Sequence, residues 1–71
     1  MNVMNNTIRV ERARKRITQA DLAKNISVSR QTIHAIETGK FVPSTVIALK
    51  LARFFEIKLE ELFQLEEAEV V

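Results

Sequence analysis

With 71 residues and a net charge of +2, the chain has room for one domain with a limited core and none for a separate catalytic module. The absence of cysteine and the single histidine exclude a disulfide framework and a thiolate metal site, argue against a zinc centre, and call for no metal and no cofactor. The charge is unevenly placed: residues 1–40 hold eight Lys or Arg against three acids and residues 41–71 hold three against six, so a polyanion partner is expected at the basic half. No N-terminal run has the zones of a signal peptide, and no apolar run approaches the roughly 18 residues that span a bilayer. A cytoplasmic protein without a membrane partner is expected.

The opening six residues, MNVMNN, have no periodicity and are expected as a flexible arm. Asn6 or Thr7 can cap a first helix over residues 8–15 with Ile8 and Ala13 inward. Its polar side, with Arg9, Arg14, Lys15 and Arg16, suits a phosphate backbone and equally a solvated face. Ile17 closes that helix. Thr18 and Asp21 then form a near capping box for a second helix that ends near Asn25. Gln19 is its first residue, placed to touch a phosphate or to brace a neighbouring side chain.

Residues 19–38 have the spacing of two short helices packed across one tight turn, a helix-turn-helix. Ala23 stands where two steeply crossed helices leave no room for a larger side chain, and Leu22, Ile26, Val28, Ile33 and Ile36 are the positions that seal the pair onto a core. Ser29 is a good N-cap for the second of the two helices. At roughly 100° per residue, with Arg30 at zero, Ile36 and Ile33 fall at about 240° and 300°, while Arg30, His34, Thr38, Gln31 and Ala35 spread from zero to about 140°. One face is core and the other is free. The free face begins with an Arg and a Gln, the side chains that pair with guanine O6/N7 and adenine N6/N7 in the DNA major groove.

Gly39 is the expected C-cap of the third helix, and Ser44 caps a fourth over residues 45–55 with Ile47, Ala48, Leu51, Ala52 and Phe55 at core spacing. Val46, Leu49 and Phe54 fall off that stripe and are candidate dimer-interface residues. A fifth short helix is expected over residues 60–63, in which Leu62 and Phe63 pack back, with Phe63 and Leu65 also candidates for the interface. For the acidic tail, residues 64–71, three states stay open: an extension of that helix, a strand at a dimer seam, or a loose end.

The runs T18-Q19-A20-D21-L22-A23, V28-S29-R30-Q31-T32-I33, A35-I36-E37-x-G39, P43-S44 and I57-K58-L59-E60-E61-L62-F63 resemble the Cro/C1-type (XRE) helix-turn-helix family over residues 7–63. The resemblance implies an all-α, five-helix, lambda-repressor-like DNA-binding domain with the helix-turn-helix at helices 2 and 3. It implies a short stand-alone prokaryotic transcriptional regulator, a repressor acting as a homodimer on double-stranded DNA, located with the nucleoid and with no small-molecule effector evident. Residue by residue, it implies base contacts at Arg30, Gln31, His34 and Ala35, and phosphate contacts at Gln19, Ser29, Thr38, Lys40, Ser44 and Thr45. It also implies a structural salt bridge between Arg12 and Glu37; the wheel places Glu37 at about 340°, between the core and groove faces. Ser27 and Arg16 stand where the family usually has glycine, and Glu11 where an apolar residue is common. The competing reading is an antitoxin or other interaction module that also binds its own promoter, with Val46, Leu49 and Phe54 as its contact patch. An enzyme is not expected, because no nucleophile and base stand at plausible spacing.

Overall fold

Three hydroxyl side chains set where helices start in the computed structural model, which describes residues 4–66. Thr18 Oγ1 accepts from Asp21 N at 3.0 Å while the Asp21 carboxylate accepts from Thr18 N, a complete capping box. Ser29 Oγ accepts from Thr32 N at 3.1 Å and Ser44 Oγ from Ile47 N at 3.2 Å. The helices that result are α1 (Ile8–Lys15), α2 (Gln19–Ile26), α3 (Arg30–Glu37), α4 (Thr45–Phe55) and α5 (Leu59–Leu62). At α1 the cap is shared: Thr7 occupies the N-cap position without a side-chain capping bond, its hydroxyl donating to Glu61 O at 3.3 Å instead, and Asn6 Oδ1 accepts from Ile8 N at 3.2 Å.

Three helices end in the same way, on a non-glycine residue in the left-handed region: Arg16 after α1 (φ 56°), Ser27 after α2 (φ 61°) and Glu56 after α4 (φ 58°). In each, the next amide reaches back into the helix, from Ile17 N to Arg12 O, Val28 N to Ala23 O and Ile57 N to Ala52 O at 3.0–3.1 Å. Ile17, Val28 and Ile57 are partly buried and pack on the core. Each terminator therefore joins a satisfied carbonyl to an apolar anchor, which offsets a left-handed cost of about 1–2 kcal/mol per non-glycine residue. Gly39 (φ 77°) serves α3 without that cost.

The core is one cluster in which Ile8, Leu22, Ile33, Ile36, Leu51 and Leu62 are fully buried, and Ala23 is buried where α2 meets α3. Ala13 is exposed rather than inward, because the inner side of α1 is occupied by Ile8 and by the half-buried Arg12 and Glu11. The chain ends also depart from expectation. Met4–Asn6, part of the expected flexible arm, is a strand (β1) that pairs antiparallel with Phe63–Leu65 (β2), with Met4 opposite Leu65 and Asn6 opposite Phe63. Thr7 N donates to Leu62 O at 3.0 Å and extends the tie. The remainder of the arm, residues 1–3, and of the tail, residues 67–71, lies outside the described residues. The fifth helix accordingly begins at Leu59 and stops at Leu62. Phe63 turns into the core and is no longer a free candidate for an interface, whereas Leu65 is exposed.

Replacing Ser27 by Gly should raise stability by about 0.5–1 kcal/mol, since the left-handed cost disappears and only part of it returns as unfolded-state entropy. The control Ala20→Gly, at an exposed position inside α2, should lower it by about 1 kcal/mol. Urea unfolding of both variants checks the pair. A Ser27→Gly protein no more stable than the parent would show that the turn is not strained.

Candidate nucleic-acid interface

The orientation of α3 is decided by a buried carboxylate at its C-terminal end. The Glu37 side chain is 2% exposed and Arg12, across from it on α1, 16%. Arg12 grips it side-on: Nε donates to Oε2, and Nη2 donates to Oε1 at 3.2 Å. The third guanidinium nitrogen, Nη1, donates to Ile17 O at 3.0 Å in the α1–α2 connection. From α2, Gln19 Nε2 donates to Glu37 Oε1 at 3.1 Å. One carboxylate thus receives donors from two other helices, and its partner ties down the turn between them. Burial pushes the Glu37 carboxyl up, but the hydrogen bonds from Arg12 and Gln19 and the charges of Arg12 and Arg9 outweigh it, leaving the group below its ordinary value of 4.5. Glu37 is an acceptor-only anion at neutral pH.

The same end of α3 has a further tie. Asn6 Nδ2 donates to Ile36 O at 2.9 Å, so the strand formed by the chain terminus also satisfies a last-turn carbonyl of α3. Local pattern gave no sign of this contact. It joins residues thirty apart, and an Asn before a helix reads only as a cap.

With Ile33 and Ile36 buried, α3 turns Arg30, Gln31 and His34 outward, and Ala35 is half-buried at the edge of that face. Ser29, Lys40, Ser44 and Thr45 are exposed around it. Ser44 Oγ uses a lone pair for its cap and keeps its proton to give to an anion. The Thr38 hydroxyl, by contrast, donates to His34 O at 2.9 Å and would have to release that bond to reach a phosphate. Gln19, placed by the sequence to touch a phosphate or to brace a neighbour, makes the bracing contact. Its amide nitrogen faces Glu37 and lies 3.2 Å from His34 Nδ1, which makes it a brace between α2 and α3. On α1, Lys15 Nζ sits 5.4 Å from the centre of the Phe54 ring, and Arg14 is 4.0 Å from Glu11, so part of the basic run is spent within the chain.

A capped helix fixed across a tight turn with its polar face outward is the arrangement of a helix-turn-helix DNA-binding domain. The chain belongs to the helix-turn-helix family of the Cro/C1 (XRE) type, whose profile matches residues 8–62. It is 50% identical over 66 residues to an uncharacterised HTH-type transcriptional regulator of Methanocaldococcus jannaschii, covering 93% of this chain and all of the relative. A second such regulator, from Bacillus subtilis, is 44% identical over 64 residues, with 90% and 97% of the two chains covered. Among solved structures, a Bacteroides fragilis protein assigned to DNA binding superposes with a TM-score of 0.75 at 30% identity, over 86% of this chain and 98% of that one. The family is one of DNA-binding regulators and not an enzyme class. Among the described residues, no helix is long and apolar enough to cross a membrane.

Removing either partner of the Arg12–Glu37 pair should cost about 3 kcal/mol, because it strands a buried charge, and the double Ala variant should lose clearly less than the two single losses added. Strict additivity in urea unfolding would show that the pair is not a unit. The folded carboxyl lies below its unfolded value, so its stabilisation is complete above about pH 4.5 and is lost as pH falls through the folded value. The stability gap between the parent and Glu37→Gln should therefore be constant above about pH 5 and shrink below it. A gap unchanged at about pH 3 would contradict the ionised, paired state of Glu37.

Proposed function

We propose that this protein is a sequence-specific double-stranded DNA-binding transcriptional regulator that reads the major groove with α3 as a homodimer and acts as a repressor. The observation that carries the reading is the outward face of α3, where Arg30, Gln31 and His34 are exposed while Ile33 and Ile36 hold the opposite side on the core and the Glu37 cluster fixes the edge between them. Arg30 and Gln31 in the first turn have the donor and acceptor sets that match guanine and adenine edges. Ser29, Lys40, Ser44 and Thr45 would set the register on the backbone. Repression follows most simply, since a domain seated on an operator blocks competing proteins without any further surface.

Two copies are needed to read half-sites about 34 Å apart. Val46 (63% exposed) and Leu49 (51%) offer an apolar seam on α4, with Lys50 and Arg53 beside them. Phe54 contributes little to such a seam: it is half-buried, edge-on to Phe55 and covered by Lys15. Leu49→Glu should leave the fold intact and weaken both self-association and operator binding. Light scattering that found only monomer at high micromolar concentration, with and without DNA, would remove the homodimer and turn attention to a different protein, such as a toxin, as the occupant of that patch.

Reading and holding residues should fail differently. Arg30→Ala should cost about 1–3 kcal/mol on a site selected from random duplex and relax the preference at one or two base pairs. Lys40→Ala should weaken all duplexes alike and lower the salt slope by about one counterion. Titrations of the selected site, its single-base variants and random duplex at several salt concentrations check both. An Arg30→Ala protein with unchanged base preferences would contradict the assignment of that side chain to the groove.

A further inference from the structure

We propose that Gln19 is a positioning residue that fixes the proton of His34 on Nε2, making His34 a hydrogen-bond donor that selects a guanine and rejects a cytosine at one base pair. The inference rests on the DNA-reading role of α3 proposed above.

A chain of donors and acceptors runs outward from the buried pair. Arg12 donates to both oxygens of Glu37, and the carboxylate is ionised, so every group that touches it must donate. Gln19 meets Glu37 Oε1 at 3.1 Å, and a Gln carbonyl oxygen there would face an anion, so the atom at that contact is the amide nitrogen. The same nitrogen lies 3.2 Å from His34 Nδ1. With one amide proton given to Glu37, the other points to the ring nitrogen, which can then only accept. A neutral imidazole whose Nδ1 accepts carries its proton on Nε2. The buried ion pair therefore dictates the tautomer of a surface side chain two links away.

The position of His34 gives this consequence. It stands on the exposed arc of α3 one turn beyond Arg30, about 40° around the axis from it. The two ring nitrogens diverge, so anchoring Nδ1 against α2 directs Nε2 away from the domain. In the major groove guanine presents two acceptors, O6 and N7, and cytosine presents the N4 amino donor. An imidazole N–H held in place favours the first and meets the second donor to donor. A ring free to rotate or to exchange its proton could do either.

The test compares the parent, His34→Ala, Gln19→Met and Arg30→Ala on a selected duplex and on all single-base variants of it. Methionine keeps the length of Gln19 and removes its donors. In the parent, one base pair should favour guanine over cytosine by about fivefold or more. His34→Ala and Gln19→Met should both flatten the preference at that same base pair to within about twofold, and combining them should flatten it no further. Arg30→Ala should act at a different base pair. Nitrogen-detected NMR of the free parent protein should show His34 protonated at Nε2 when neutral. A ring protonated at Nδ1, or a Gln19→Met protein that loses affinity evenly while keeping the His34-dependent preference, overturns the proposal and leaves groove reading by Arg30 standing. A parent protein with no base preference at all overturns both.

Discussion

The structure depends on one buried carboxylate. Glu37 is the last residue of α3, and its acceptors are filled from α1 by Arg12 and from α2 by Gln19. Taking an ion pair out of water is expensive, and such a pair is often no better for stability than apolar packing of similar volume. What it supplies here is orientation. A ridge of isoleucines would hold α3 on the core yet tolerate small rotations about its axis, whereas a side-on guanidinium and a third donor accept only one. A helix that reads base edges, as proposed for α3, works within hydrogen-bond tolerances, so a rotation that costs little in burial would move Arg30 and His34 away from the bases assigned to them.

Two features complete the cradle. The paired strands β1 and β2 place Asn6 against the Ile36 carbonyl, so the C-terminal end of α3 is tied to the hairpin as well as to α1 and α2. The left-handed terminators at Arg16, Ser27 and Glu56 turn the chain sharply after three helices while dropping Ile17, Val28 and Ile57 onto the core. Each stores a modest strain that its anchor offsets. This is how a small domain can make tight corners with a single glycine.

The legible part of the fold was the part written in local chemistry. Thr18, Ser29 and Ser44 announce their helices because a hydroxyl before an apolar period has few other uses, and the stripe from Ile47 to Phe55 sets the inner face of α4. The Arg12–Glu37 contact was different: the helical wheel put Glu37 on a boundary, and only the family resemblance named its partner. The pairing of the chain ends carried no signal, since three-residue strands nearly sixty positions apart have no periodicity to detect. Phe63 packs back as its position in the sequence suggests, but from the start of β2 and not from the end of a helix. The inward reading of Ala13 failed for a related reason: Arg12, counted as polar, takes up inner space on α1 because its charge is matched there. The sequence allows Gln19 to brace a neighbour or touch a phosphate, and its bracing contact is visible only once Glu37 is placed in space.

Whether α3, held by Glu37, is the element that meets DNA decides the proposed function. Titrating nitrogen-labelled protein with a duplex selected from random sequence and following backbone and side-chain amides by NMR tests it directly. The largest changes should fall on residues 29–35, with smaller ones at Lys40, Ser44 and Thr45, while the Arg12 and Gln19 side-chain signals keep their bonded positions. Changes concentrated on α5 and β2, with residues 29–35 undisturbed, would contradict it.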